Sequence, residues 1–242
     1  MGQKIHPELF RINIFKNYKS NWYSTKFIYS KLIKEDYMIR NIIQEKLNEL
    51  AIISEIKILR SSNFYKEFRY IVINIDLLLH EEDDLLDKFA TIFNISDKEI
   101  SNASIKQKIK LINLLIKYYI RNLVRQIQYK YNVYVYISKN ILEHPFQDSN
   151  LIAKYIGDQL QKRIPYKRIL KNIFQYIDEL NLTYGIKIQI SGRLNGQEMA
   201  RTEWQQEGQL SLNTLRKKIN YSFYPTKTIY GIMGVKVWLY QK

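Results

Sequence analysis

Between Gly2 and Gly157 this chain has no glycine, and six of its eight glycines then fall between Gly185 and Gly234. Glycine takes positive φ, and lets two backbones approach closely, at no steric cost. A chain this sparing of it must turn its first part with ordinary residues and keep its tight turns for the C-terminal part. The pattern of apolar residues there agrees. Ile186, Ile188 and Ile190 alternate with Lys187 and Gln189, the period of two expected for a strand with one buried face. The strand runs into Ser191-Gly192-Arg193 and then Asn195-Gly196, a dipeptide that marks a turn between extended segments. Glu207-Gly208 turns the chain again. Tyr230–Tyr240 reads as a final strand, with Val235, Val237 and Leu239 alternating with Lys236, Trp238 and Tyr240.

The glycine-free part reads as helices and strands in a definite order. Asp36–Leu50 predicts a helix, with Asp36 as N-cap and Ile39, Ile42, Ile43, Leu47 and Leu50 at helical spacing. Ile52–Leu59 and Tyr70–Ile75 alternate as strands around a Ser61-Ser62-Asn63 turn, and His80–Asp87 reads as an acidic loop. Leu111–Tyr131 predicts a second helix, with Lys117, Arg121 and Arg125 along one face, and Val133–Ile137 a third strand. The stretch 140–150, polar and containing His144-Pro145, reads as a linker. A helix from Leu151 to about Ile164 follows, then another over Tyr166–Leu180. Pro165 between them stops the first or opens the second. Met1–Ile14 reads as an extended basic arm that orders on a partner's surface. The fold class is α+β throughout, with a helix–strand–strand–helix–strand unit first and a mostly antiparallel sheet with helices after it.

Charge narrows the function. The formal net charge is +15, spread as +6 over 1–75, −6 over 76–103, +6 over 104–150 and +9 over 151–242. One acidic island in an otherwise basic chain argues for a polyanionic partner, RNA above all, with one face turned away from it. There is no cysteine, so disulfides and thiolate metal sites are excluded. His6, His80 and His144 lie far apart and lack metal-ligand spacing. No apolar run approaches the roughly 20 residues a membrane span needs. Ile, Asn, Lys and 20 Tyr abound while Ala is scarce, the residue usage of A/T-rich codons.

Two clusters carry candidate chemistry. Lys162 and Arg163 precede Pro165, and Lys167, Arg168 and Lys171 follow it, a dense positive ridge suited to RNA backbone. Arg193 and Arg201 sit on the glycine-punctuated strands beside Glu198, Glu203 and Trp204, where forked guanidinium groups suit phosphate recognition. An RNA-processing enzyme is the competing class. It would have to use Glu198, Glu203 and Glu207, which have no His or Asp partner at useful spacing and read better as salt-bridge partners.

Long stretches also have a family look. MGQKIHP, QLQKRIPYKRILK, SGRLNGQEMARTEW, EGQLSLNTLRKKINYS and YGIMGVKVW closely resemble, in the same order, protein three of the small ribosomal subunit, over nearly all of 151–242 and the first eleven residues. The resemblance implies a type II KH-like domain over 36–140, although the Gly-x-x-Gly loop by which KH domains clamp RNA is absent and an acidic insertion near 76–104 takes its place. It implies a lead-in over 1–35, a linker over 141–150 and a C-terminal ribosomal domain over 151–242. It also implies a structural, non-enzymatic protein of the subunit head that binds 16S-type rRNA and lines the channel through which mRNA enters. Tyr166-Lys167-Arg168-Ile169-Leu170-Lys171 matches the family's mRNA-gripping segment, so Lys167, Arg168 and Lys171 inherit that role, joined by Lys162 and Arg163. Lysine at 167 keeps the charge but not the planar fork, and Pro165 is a further departure. Gln3, Lys4, His6, Arg193, Arg201 and Arg216 become rRNA contacts. The implied neighbours are small-subunit proteins ten and fourteen, with no membrane and no cofactor beyond structural magnesium carried by the rRNA. A free KH-type regulator is a further alternative. Composition together with the family points to an organelle-encoded plastid copy, with a mitochondrion or a bacterial cytoplasm as alternatives.

Overall fold

A computed structural model describes residues 4–12, 14, 18–48, 50–61, 70–79, 85, 86, 89, 105–142, 144–180 and 183–241. The chain forms two compact units, one from 18–143 and one from His144–Lys242 together with the N-terminal segment.

The first unit contains β1 (Ser20–Asn21), α1 (Lys26–Leu47), β2 (Ala51–Arg60), β3 (Tyr70–Leu79), α2 (Ile105–Tyr131) and β4 (Tyr134–Ile141). Its sheet runs β1-β2-β3-β4, with β2 and β3 antiparallel and the outer pairings parallel. Ile39 and Ile43 of α1 and Leu115, Leu123 and Ile127 of α2 pack on Ile56, Ile58, Ile71, Ile73 and Ile75. The expected element order is present, but its details shift. Asp36 is no N-cap, because α1 begins at Lys26. It is buried within the helix and accepts from Trp22 Nε1 at 2.7 Å and from Arg60 Nε at 2.9 Å, while Glu35 accepts from Arg60 Nη1 at 2.8 Å. A buried carboxylate persists only with such partners. Arg40, also on α1, donates to the Ile56 carbonyl and, at 2.9 Å, to that of Lys19, tying the lead-in to the sheet. The acidic stretch is more than a loop, since Leu85, Leu86 and Phe89 are helical and buried in this core. The rest of the stretch from His80 to Ser104, and most of the turn at 61–63, lies outside the described residues.

The second unit contains α3 (Ser149–Gln161), α4 (Tyr166–Leu180), β5 (Thr183–Gly192), β6 (Arg201–Gly208), β7 (Ile219–Thr228) and β8 (Gly231–Gln241). Its sheet runs β6-β5-β8-β7, antiparallel throughout. Ile152 and Ile156 of α3 and Ile169, Ile173 and Phe174 of α4 pack on Ile186, Ile188, Ile190, Val235, Val237 and Leu239. α3 lies so close to β7 that a Cβ on Gly157 would stand 2.6 Å from Thr226 Oγ1. Gly208 holds φ at +71° where β6 ends, and a Cβ there would strike the Tyr184 carbonyl. Phe146 is buried in the same core, and Ser222 Oγ donates to the Ser149 carbonyl at 2.6 Å, so the chain from His144 onward is anchored to this unit.

The N-terminal segment departs from the expected extended arm. Arg11 is 2% exposed. Its guanidinium donates to the carbonyls of Lys217 (2.9 Å), Pro7 (2.9 Å), Leu212 (2.6 Å) and Thr214 (2.9 Å). Glu8 Oε1 accepts from the Tyr221 amide at 3.0 Å. A planar cation with five donors can satisfy a loop's orphan carbonyls, and here it pins 4–12 to the β6–β7 connection. No helix among the described residues is long and apolar enough to cross a membrane.

Candidate nucleic-acid interface

The ridge begins where α3 stops. Arg163 N–H donates to the Leu160 carbonyl at 3.1 Å and Ile164 N–H to the Gln159 carbonyl at 3.2 Å, the paired bonds of a Schellman motif. The residue at its turn must be left-handed, and Arg163 has φ 62°. Glycine would sit there without strain, whereas arginine bears about 1–2 kcal/mol. Pro165 then supplies the carbonyl that accepts from Arg168 N–H at 3.0 Å and Ile169 N–H at 3.3 Å, so α4 opens one residue past the proline.

On α4, Tyr166, Ile169, Leu170, Ile173, Phe174 and Ile177 are buried while Lys167, Arg168 and Lys171 are exposed. Lys162 and Arg163 are exposed too. The cations stand at the N-terminal end of α4 and the acids Asp178 and Glu179 in its last turn. Each arrangement opposes the helix dipole, which favours acids first and cations last. Arg163, Lys167, Arg168 and Lys171 have no ion-pair partner among the described residues. Lys162 acts on Asp158, whose carboxyl is pushed up by burial and held back by Lys162 and Lys154. A positive helix end and exposed cations without ion-pair partners together make a surface suited to an anion.

The expected rRNA contacts do not form a single site. Gln3 lies outside the described residues. Lys4 and His6 line a cleft beside the outer face of the sheet. His6 Nδ1 accepts from Leu9 N–H at 3.4 Å, and its ring sits edge-on to Tyr221 at 4.7 Å. Arg193 and Arg201 share one end of the sheet, where Gly192 registers with Arg201. Arg193 Nε donates to the Gln197 carbonyl at 2.9 Å, bracing the left-handed Asn195-Gly196 turn, and Arg201 Nε lies 3.6 Å from Glu203 Oε1. Arg216 is exposed in the connection at the opposite end.

The carboxylates do not converge on a catalytic arrangement. Glu198 is exposed and Glu203 pairs with Arg201. Glu207 is pushed up by burial and by the charge of Asp178, with the Gln205 hydrogen bond working against both. Sequence reasoning did not group Lys187, Lys236, Trp204 and Trp238. Their alternation was visible, but the register that sets Lys187 beside Trp238 and Gln189 beside both Lys236 and Trp204 belongs to the fold.

Comparison with known proteins agrees with the motif order. A family model described as ribosomal protein S3, C-terminal domain, matches residues 156–239. Small ribosomal subunit protein uS3c of Psilotum nudum is 34% identical over 249 residues, covering 100% of this chain and 99% of the relative. Its namesake in Physcomitrium patens is 34% identical over 242 residues, with coverage of 100% and 99%. Small ribosomal subunit protein uS3 of Synechocystis sp. is 35% identical over 243 residues, with coverage of 100% and 86%.

Proposed function

Because the chain belongs to the ribosomal protein S3 family and is a structural constituent of the small ribosomal subunit rather than an enzyme, we propose that its α3–α4 ridge grips incoming mRNA while other surfaces hold small-subunit rRNA. The observation that carries this reading is the placement of charge on α4. Lys167 and Arg168 occupy the first turn, where each cation costs about 0.3–1 kcal/mol against the dipole. Arg163 adds backbone strain beside them. A surface kept at the expense of local stability, cationic and unpaired, suits a polyanion that passes over it.

The rest of the reading follows the family. Residues 36–140 form a KH-like domain whose RNA clamp is lost with its glycine loop. Residues 151–242 form the rRNA-facing domain, to whose core the chain from His144 onward is already anchored. Lys4, His6, Arg193, Arg201 and Arg216 contact rRNA at separate points, and small-subunit proteins ten and fourteen are neighbours in the head. The uS3c names of the relatives support a plastid ribosome, and the A/T-rich residue usage supports a gene carried by the organelle.

The test replaces Lys167, Arg168 and Lys171 together by Ala in reconstituted small subunits. Assembly should proceed, while translation through a stable mRNA hairpin slows relative to an unstructured message. Equal passage through both messages would remove the assignment.

A further inference from the structure

The outer face of the second unit's sheet carries a patch that the ridge does not use. Lys187 registers with Trp238, and Trp238 with Tyr221. Lys187 Nζ lies 4.4 Å from the centre of the Trp204 ring and 5.8 Å from that of Trp238. The N-terminal segment walls one side, leaving a cleft of about 670 Å³ whose lining includes Lys4, Lys187, Gln189, Lys236 and Trp238 and, among the described residues, no carboxylate. Arg11 also lines it, but four of its five donors are taken by carbonyls.

Three ammonium groups therefore share a cleft whose described lining supplies no counter-charge. Burial and the charge of Lys4 push the Lys187 ammonium down. An anion among them would relieve that repulsion. Charge alone leaves Trp204 unexplained. This indole is 60% exposed on a strand, beside Lys187, and a flat exposed ring next to cations is how proteins hold unpaired bases. A carboxylate or a free phosphate would use the lysines and leave the ring in water. A duplex has its base faces covered.

We propose that this cleft and the Trp204 ring beside its Lys187 wall together hold an unpaired nucleotide of an RNA strand, its phosphodiester among Lys4, Lys187 and Lys236 in the cleft and its base stacked on Trp204 next to it. The proposal rests on the chain's binding RNA, but not on the ridge, because α3 and α4 pack on the sheet's other face.

The experiment uses the full chain and measures binding of a short oligouridine, a duplex RNA of equal length and a polyglutamate peptide of equal charge, with indole fluorescence as second readout. Oligouridine should quench the emission. Trp204→Ala should weaken its binding by about 5- to 100-fold while duplex affinity moves less than about twofold. Lys187→Gln with Lys236→Gln should reduce the slope of log affinity against log salt by about 1.4. Ridge substitutions at Lys167, Arg168 and Lys171 should leave the quenching at saturation unchanged. If Trp204→Ala leaves oligouridine affinity and quenching as they were while the ridge variant weakens RNA binding, the cleft proposal fails and the ridge stands. Polyglutamate binding as tightly as oligouridine overturns it as well, and a chain with no affinity for RNA overturns both.

Discussion

Replacing Arg11 tests whether one buried cation holds the N-terminal segment on the second unit. The guanidinium is 2% exposed and serves four carbonyls, three of them in the β6–β7 connection. Burial lowers its pKa from the ordinary arginine value, so the charge stays there because those carbonyls replace its water. A hydrogen bond to a charged group contributes about 1.5–3 kcal/mol net, which sets a ceiling near 6–12 kcal/mol for four. Three of the carbonyls are only partly buried and regain water once the side chain is gone. We therefore expect Arg11→Ala to cost about 3–5 kcal/mol, the range for breaking a buried charged interaction. Arg11→Lys keeps the charge but presents three donors on a point rather than five on a fork, and should lose about half of that. Denaturant melts would blur the result, because two units need not unfold together. Hydrogen exchange at the Tyr221 amide, which donates to Glu8, reads the segment's release directly. For Arg11→Ala it should speed up by about 10²- to 5 × 10³-fold. A change below about threefold at Tyr221 and its neighbours would refute the reasoning.

Two further outcomes follow. Arg163→Gly should raise the stability of the second unit by about 0.5–1 kcal/mol, the left-handed strain relieved less the added freedom of the unfolded chain. It should also lower the salt slope of RNA binding by about 0.7–0.9, and a drop in stability would contradict the Schellman assignment. Glu207 offers a pH test. A carboxyl whose folded pKa lies above its unfolded one binds more protons when folded, so its penalty is complete at neutral pH and fades as pH falls through the folded pKa. Glu207→Gln should therefore raise the Tm at pH 7 by about 1–2 °C at this partly exposed, screened position. The gap should close in acid, and one that widens there counts against the cause.

What could be read beforehand divides along physical lines. α4 was legible to the residue, because Ile169, Leu170, Ile173, Phe174 and Ile177 mark one face and Pro165 marks its start. β5 and β8 were legible because their aliphatic residues, Ile186, Ile188 and Ile190 in one and Val235, Val237 and Leu239 in the other, fall at every second position and are buried. β7 was not. Its inward positions include Asn220, Ser222 and Thr226, which invert the usual alternation, and it carries Pro225, tolerable because it is an edge strand. α1 misled because Asp36 has the chemistry of a cap, and only the fold brings Trp22 and Arg60 to it. The ridge could be found from spacing alone. The outer-face cleft could not, since it depends on strand register and on a segment two hundred residues away in sequence.

That last separation has a consequence during synthesis. Arg11 and the Lys217 carbonyl are 206 residues apart, so at roughly 5–20 residues per second the arginine leaves the ribosome about 10–40 s before its partner does. All of 18–143 emerges in the interval and can fold meanwhile. The second unit, begun first, is therefore finished last, and until then its leading dozen residues remain open to whatever the cell offers, proteases and chaperones included.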